Sequence, residues 1–102
     1  MTRFRVSPLA ALDLDEIWLH TAVAAGVPVA DRVIDAITDR FLLLADYPEA
    51  GRPRPEIAAG VRSSPVEAWV IYYRIRATRV EVARVLHGSR DQRSAWTQGR
   101  DL

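Results

Sequence analysis

GVRSSPVEAWVIYYRIRATRVEVARVLHGSRD, residues 60–91, carries the strongest structural signal in this 102-residue chain. Two runs rich in β-branched and aromatic residues, 68–75 and 80–86, are separated by a short polar break. This composition is typical of β-strands, and two strands joined so closely predict a hairpin. The break lacks the Gly or Asn that a two-residue turn favours, so the pattern predicts a wider turn there. A polar cluster that begins at His87 follows the second strand directly.

The residues before this hairpin predict a short strand and a first helix. Phe4–Val6 reads as an extended segment, and Ser7 followed by Pro8 is a favourable N-cap and first helical position. Apolar residues then recur at three- and four-residue spacing up to residue 25, which is typical of an amphipathic helix. The acidic residues of its opening turns, Asp13, Asp15 and Glu16, are expected to favour the positive end of the helix dipole.

A second helix and a loop fill the interval up to the strands. Gly26 and Pro28 interrupt the first helix, and a regular apolar stripe predicts a second helix over residues 29–46. Residues 48–60 contain three Pro and two Gly and predict a surface loop, followed by a strand at 61–64. The sequence therefore predicts an α+β domain in which a helical hairpin precedes the sheet.

Length and composition predict one globular domain over residues 1–102, with a polar C-terminal tail over about residues 88–102. Hydrophobic residues make up 49% and charged residues 26%, which argues against a disordered chain. The N-terminus lacks the apolar core of a signal peptide, and no run is long enough to span a bilayer. We expect a cytoplasmic protein without membrane contact.

The residue types that hold metals and cofactors are sparse in this chain. It has no Cys, its two histidines lie 67 positions apart, and no phosphate-binding glycine loop occurs. We therefore expect no metal and no cofactor, and we assign no catalytic residue.

Charge is distributed unevenly along the chain. Residues 1–50 hold four Arg against eight acidic residues, and residues 51–102 hold ten Arg against five, giving −4 and +5. All fourteen basic residues are Arg. Either coding bias in a GC-rich genome or a need for bidentate contacts explains this preference. A basic half of this size suits phosphate or an acidic protein surface. It is weaker than that of a DNA-binding module, so we expect no direct nucleic-acid binding by the chain alone.

Three arginines on successive predicted strands are the first candidate binding residues. The alternation of a pleated sheet can place Arg62, Arg74 and Arg84 on one face, depending on strand register. They form either a basic patch for the acidic groups of a partner, or ion pairs with Glu67 and Glu81 across the strands.

The end of the last strand and the tail supply the other candidates. His87 shapes the strand end, contacts a partner or acts as an acid–base group, and the absence of a paired carboxylate disfavours the last role. Trp96 lies among polar residues and either folds back over the sheet or is presented to a partner. The complete set of residues predicted to bind the target or a partner is Arg62, Arg74, Arg84, His87, Arg90 and Trp96.

The strand that begins near Trp69 has apolar residues on both faces. Ile71 and Tyr73 alternate with Val70 and Tyr72, so one face can pack on the helices while the other also needs cover. A helix or strand from a partner would supply that cover.

Short motifs occur in a specific order along nearly the whole chain. They are Ser7-Pro8, the run 12–18, Leu44-Ala45, Pro48, Gly51, Arg52 and Arg54, Gly60 with Arg62 and Ser63, the run 70–74, and 84–88 with Arg90 and Asp91. Together they resemble the ParE-type toxins of bacterial type II toxin–antitoxin systems, within the RelE/ParE superfamily. The resemblance implies an N-terminal strand and a helical hairpin packed on a small, mostly antiparallel sheet.

The resemblance also implies a function. ParE-type toxins usually act on DNA gyrase without catalysis and so block DNA replication, and they serve plasmid or chromosome stabilisation. A ParD-like antitoxin neutralises them, and its C-terminal segment wraps the toxin. We therefore expect a ParD-like antitoxin and DNA gyrase as partners.

RelE-like relatives give the alternative, a ribosome-dependent mRNA endoribonuclease. Such members usually add catalytic Lys residues and a Tyr after the last strand, whereas this chain has no Lys and residues 88–96 contain no Tyr. The Arg guanidinium can supply charge, but it stays protonated and is a poor proton shuttle. An inactive toxin-like partner is the third interpretation.

Overall fold

The computed structural model describes residues 3–89 and Trp96. The elements in chain order are β1 (Phe4–Val6), α1 (Pro8–Ala25), α2 (Val27–Asp46), a 3-10 turn (Pro48–Ala50), β2 (Arg52–Pro53), β3 (Arg62–Val66), β4 (Trp69–Arg76) and β5 (Arg79–His87). The predicted α+β architecture is confirmed. The second helix begins at Val27, two residues earlier than predicted, because Pro28 lies in its first turn, where a missing N–H leaves no helical bond unmade.

Five strands form one sheet in the order β1-β5-β4-β3-β2. β1 pairs with β5 in parallel, and the other three pairs are antiparallel, so the mostly antiparallel sheet is confirmed. β2 lies within the segment predicted as a loop, because Arg52 pairs with Ser63 and Pro53 with Arg62. Both edge strands, β1 and β2, are only three and two residues long.

The β4–β5 turn differs from the prediction. Arg76 pairs with Arg79, so the turn has only two central residues, and the expectation of a wider turn is wrong. Ala77 and Thr78 have φ values of 49° and 65°, the pair of positive angles that a type I′ turn requires. A left-handed backbone conformation costs about 1–2 kcal/mol for each residue other than glycine. The turn nevertheless forms, because its geometry matches the right-handed twist of the two long strands and their pairing outweighs this cost.

The face of the sheet toward the helices forms the main core. Ile71, Tyr73 and Val82 are fully buried there. The helices contribute the apolar stripe of α2 and the inner side of α1, namely Ala10, Ile17, Val33, Ile37, Phe41 and Leu44. The predicted period-two alternation of β4 is confirmed, because its odd-numbered apolar residues face the helices.

The opposite face carries a second, smaller cluster. Tyr72 packs there with Val61, Ala83, Leu86 and Trp96. A bulge between Tyr72 and Tyr73 inserts Ala83 as an extra residue of β5 into this face. The chain thus supplies part of the cover that the sequence suggested a partner would provide.

β5 and β3 are longer than the edge strands that pair with them, and side chains of the helices and of the N-cap Ser7 bond the backbone left unpaired. On β5, the Ser7 hydroxyl donates to the Ala83 carbonyl at 2.8 Å, and the Val85 N–H donates to the Asp13 carboxylate at 3.0 Å. On β3, Arg40 of α2 donates to the Pro65 carbonyl at 3.0 Å. These bonds occupy backbone groups that an added strand would need.

Tyr73 ties the loop before β2 to the sheet. Its hydroxyl donates to the Pro48 carbonyl at 2.6 Å and accepts from the Gly51 N–H at 2.9 Å. A Cβ at position 51 would lie only 2.3 Å from that hydroxyl, so the close approach requires glycine.

We expect Tyr73→Phe to lower the free energy of unfolding by about 1–3 kcal/mol, because it leaves the buried Gly51 N–H without an acceptor. Urea unfolding measures the loss. The matched control is Tyr47→Phe, since Tyr47 is 67% exposed and its replacement should change the value by less than about 0.5 kcal/mol. Equal effects of the two substitutions would contradict the anchoring role of Tyr73.

Candidate functional site

Arg84 forms a buried ion pair with the first helix. Its Nε and Nη2 donate to the two oxygens of Asp13 at 2.8 and 3.0 Å, and both residues are less than 10% exposed. The hydrogen bond from Arg84 to Asp13 raises the pKa of the guanidinium above its ordinary value, against the opposing effect of burial. Arg84 therefore joins β5 to α1. The ion-pair interpretation had named Glu67 and Glu81 as partners, and neither of them pairs with Arg84.

Asp13 also differs from its expected role. It lies in the sixth position of α1, and its carboxylate is turned toward the sheet, where it accepts from Arg84 and from the Val85 N–H. The expectation that Asp13, Asp15 and Glu16 favour the positive helix end is wrong, because all three lie beyond the first turn of α1.

Arg62 is occupied by the loop that precedes it. Its Nη1 donates to the Gly51 carbonyl at 2.7 Å and to the Glu49 carbonyl at 3.2 Å. Arg62 pairs across the sheet with Tyr73, which faces the helices. Consequently Arg62 and Arg74 lie on different faces, and the three strand arginines do not form one patch.

Arg74 lies on the other face, in a row in which two aromatic rings lie between two arginines. We call this row the Arg–aromatic face: Arg54, Tyr72, Trp96 and Arg74. The Arg74 guanidinium stands 5.3 Å from the Trp96 ring centroid, and Arg54 stands 6.0 Å from that of Tyr72. The two rings meet edge to face at 6.5 Å. Burial raises the pKa of Tyr72, partly opposed by the positive charge of Arg54.

Trp96 is 7% exposed and completes the cluster with Tyr72. Of the two alternatives, the structure shows that it folds back over the sheet. Arg90 lies outside the described residues, as does the rest of the tail beyond Ser89 except Trp96. The partner-binding role of the six residues therefore stays a prediction.

His87 is exposed at the end of β5. Its Nδ1 accepts from the Ser89 N–H at 3.1 Å and lies 2.7 Å from the Ser89 hydroxyl, while its ring meets Trp69 edge to face at 5.2 Å. These contacts shape the strand end, in agreement with one of the alternatives.

The fold brings His20 and His87 to one cavity of about 470 Å³ between α1 and the end of the sheet. Its wall also includes Glu16, Trp69 and Leu86. The sequence did not indicate this cavity, because its lining comes from positions about 70 residues apart. Within residues 3–89 and Trp96, no cluster of three or more His, Cys, Asp or Glu side chains is suited to a metal ion. No helix in the same part of the chain could cross a bilayer.

A family model for the ParE toxin of type II toxin–antitoxin systems, parDE, matches residues 4–92, from β1 to beyond β5. The chain belongs to the ParE toxin family. The match spans both helices, the whole sheet and the Asp13–Arg84 pair.

Curated ParE toxins are similar to this chain over most of their length. Toxin ParE1 of Caulobacter vibrioides is 33% identical over 94 residues, covering 92% of this chain and 97% of that toxin. Toxin ParE1 of Mycobacterium tuberculosis is 31% identical over 91 residues, covering 88% and 93%. The solved chromosomal ParDE toxin–antitoxin system of P. aeruginosa superposes with a TM-score of 0.73 at 24% identity, covering 82% of this chain and 92% of that chain. This last comparison shows a common fold.

Proposed function

We propose that this ParE toxin binds and inhibits DNA gyrase without catalysis, and that a ParD-like antitoxin neutralises it. Its site of action would be the cytoplasm, where the replicating chromosome and its gyrase are located.

The non-catalytic proposal is supported by the hydrogen bonds that three arginines on or beside the sheet make within the protein. Phosphodiester cleavage needs cations that are open to a phosphate, together with an acid–base group beside them. Arg62 donates to loop carbonyls, Arg84 to Asp13, and Arg54 to Glu56 at 2.7 Å. The protein's own acceptors therefore engage these three guanidinium groups, which a phosphate would otherwise contact.

The position of the histidines also supports a binding role. His87 and His20 line a cavity whose wall includes the carboxylate of Glu16, as well as Asp13, whose charge is paired with Arg84. Negative charge at this wall repels a phosphate backbone. An RNA strand would therefore meet the imidazoles only against electrostatic repulsion.

The ParD-like antitoxin follows from the family. The matched family model describes a toxin of a parDE system. The exposed apolar side chains of α1, together with the Arg–aromatic face, offer this chain two surfaces for such a partner.

Purified gyrase tests the proposal directly. We expect the toxin to inhibit supercoiling and to trap cleavage complexes at roughly stoichiometric concentration, and we expect the antitoxin to reverse both effects. Arg90→Ala should weaken inhibition if that side chain contacts gyrase, whereas Arg79→Ala, a matched change in the exposed β4–β5 turn, should not.

Two results would contradict the proposal. One is normal supercoiling in the presence of excess folded toxin. The other is rapid loss of protein synthesis in cells, with mRNA cut within codons, since it would assign the chain to ribosome-dependent RNA cleavage.

A further inference from the structure

A groove lies where α2 ends beside the turn of the β4–β5 hairpin. Its volume of about 770 Å³ exceeds that of the cavity between α1 and the sheet. Asp46, Tyr47 and the 3-10 turn form its helix side, and Ile75 and Thr78 form its hairpin side. None of the described residues that line it belongs to that cavity or to the Arg–aromatic face. Small-ligand sites have volumes of about 300–1,000 Å³, so the groove is large enough for a small organic molecule.

The helix side of the groove is held in place by the sheet beneath it. The Tyr73 hydroxyl donates to the Pro48 carbonyl at 2.6 Å and accepts from the Gly51 N–H at 2.9 Å. Arg62 donates to the carbonyl of Glu49 at 3.2 Å. The backbone of this side is therefore fixed before a ligand arrives, and a preorganised site loses less entropy on binding.

Apolar and aromatic surface is exposed inside the groove. Tyr47, the C-cap residue of α2, is 67% exposed, and its hydroxyl bonds no other described residue. Ile75 is the last residue of the β4 row that faces the helices. The two preceding residues of that row are fully buried, whereas Ile75 is 42% exposed. The groove thus offers a ring and an aliphatic surface to a ligand.

The helix side also carries negative charge. α2 has no basic residue in its last turn, so no cation of the helix offsets the negative end of its dipole. The Asp46 carboxylate pairs with Arg3. The Glu49 side chain is exposed, and its carboxylate forms no ion pair with residues 3–89 or with Trp96. It is available to a cation from outside.

The arginines of the hairpin do not reverse this charge. Arg76 and Arg79 pair directly across the hairpin, and the alternation of the strands places both on the face opposite to Ile75. Arg76 also pairs with Glu81 at 3.5 Å. Among the described residues the groove therefore keeps a negative character.

The hairpin turn supplies a hydroxyl at the groove. Thr78 has a φ of 65°, which is unusual for a β-branched residue, and Gly or Asn is favoured at this position of the turn. Its hydroxyl donates to the Ala77 carbonyl and keeps lone pairs that accept from an ammonium or guanidinium group. Strained residues cluster at ligand sites. Glycine would relieve the strain but would leave the groove without this acceptor.

The chemistry of the lining selects one class of ligand. Glu49 and the helix end repel a phosphate or another anion. A metal ion lacks ligands here, because the described residues contain no cluster of three or more His, Cys, Asp or Glu side chains suited to one. An organic cation has partners in the Glu49 carboxylate, through an ion pair, and in the Tyr47 ring, through a cation–π contact.

We propose that this groove binds a small organic cation, namely an amine or guanidine joined to an apolar body. Glu49 and Tyr47 hold the charged group, Thr78 accepts one of its hydrogen bonds, and the apolar body covers Ile75. The proposal depends neither on gyrase as the target nor on the antitoxin.

Three probes with the same apolar body test the proposal on the full chain. Hexylamine carries the positive charge, hexanol is neutral and hexanoate is negative. A fourth probe, N-acetyl-lysine amide, presents the ammonium group as a protein side chain does. Amide chemical shifts in NMR titrations give the affinity of each probe and the position of its site.

We expect hexylamine to bind at least fivefold more tightly than hexanol, and hexanoate to bind more weakly than hexanol. The shifted amides should lie in residues 46–50 and 75–78. Glu49→Gln and Tyr47→Ala should each weaken hexylamine at least threefold. Tyr47→Phe, which keeps the ring, and Asp35→Asn, at an exposed acid earlier on α2, should change its affinity less than twofold.

Any of four results would overturn the proposal. They are no binding at millimolar hexylamine, equal binding of hexylamine and hexanol, shifts confined to residues outside the groove, and tighter binding of N-acetyl-lysine amide than of hexylamine. The last result would assign the groove to a basic side chain of another protein and exclude a free ligand.

Discussion

Replacing Asp13 by alanine is expected to lower the free energy of unfolding by about 3–5 kcal/mol. The substitution leaves the charge of Arg84 buried without its carboxylate, and it leaves the Val85 N–H without its acceptor. Whole domains of this size are stable by only about 5–15 kcal/mol, so the loss is a large fraction of the total. Chemical denaturation followed by circular dichroism measures it.

A double-mutant cycle separates the ion pair from general effects of substitution at the helix. Arg84→Met should also be strongly destabilising, because it leaves the buried carboxylate of Asp13 with the Val85 N–H as its remaining described donor. The cycle is closed with Asp13→Leu: the double variant Asp13→Leu with Arg84→Met should be more stable than Asp13→Leu alone, since an apolar pair of similar volume often replaces a buried ion pair without cost. Asp35→Ala, an exposed acid on α2, is the control and should change stability by less than about 0.5 kcal/mol. Additive single effects in the cycle would show that Asp13 and Arg84 are not coupled.

The Asp13–Arg84 pair also shows where sequence reasoning ends. The helical period of α1 and the alternation along β5 are local patterns, and both elements were predicted from them. The pairing of the two residues depends on how α1 docks on β5 across 71 positions of sequence, and no local pattern encodes that distance. A polar residue at a helix position that packs on a sheet, as Asp13 does between Ala10 and Ile17, was the available signal.

The arginines illustrate the same limit for the candidate site. Their number, and their concentration in the second half of the chain, were visible in the sequence. Which face each occupies depends on register, and the bulge at Tyr72 shifts that register by one residue. Local composition therefore predicted a basic sheet, while Arg62, Arg74 and Arg84 bind a loop, a ring and a helix respectively.

Trp96→Ala is expected to cost about 3 kcal/mol of unfolding free energy, because the indole is 7% exposed and packs on Tyr72. Arg74 loses its cation–π contact in the same step, and no described residue accepts a hydrogen bond from its buried Nε. Trp96→Phe retains a ring at this position and should lose about 1 kcal/mol or less. Tyr47→Ala, which removes an aromatic side chain that is 67% exposed, is the control for loss of a ring at the surface.

The same variants distinguish a structural role of Trp96 from direct contact with a partner. If Trp96 acts through packing, gyrase inhibition and antitoxin binding by Trp96→Ala should fall only as far as its folded fraction does, and Trp96→Phe should restore both. If a partner draws Trp96 out of its cluster, Trp96→Ala should lose binding at temperatures where it is fully folded, and Trp96→Phe should restore stability without restoring binding. The burial of the ring against Tyr72 and Arg74 favours the first result, because a partner that takes up the indole must first break these contacts.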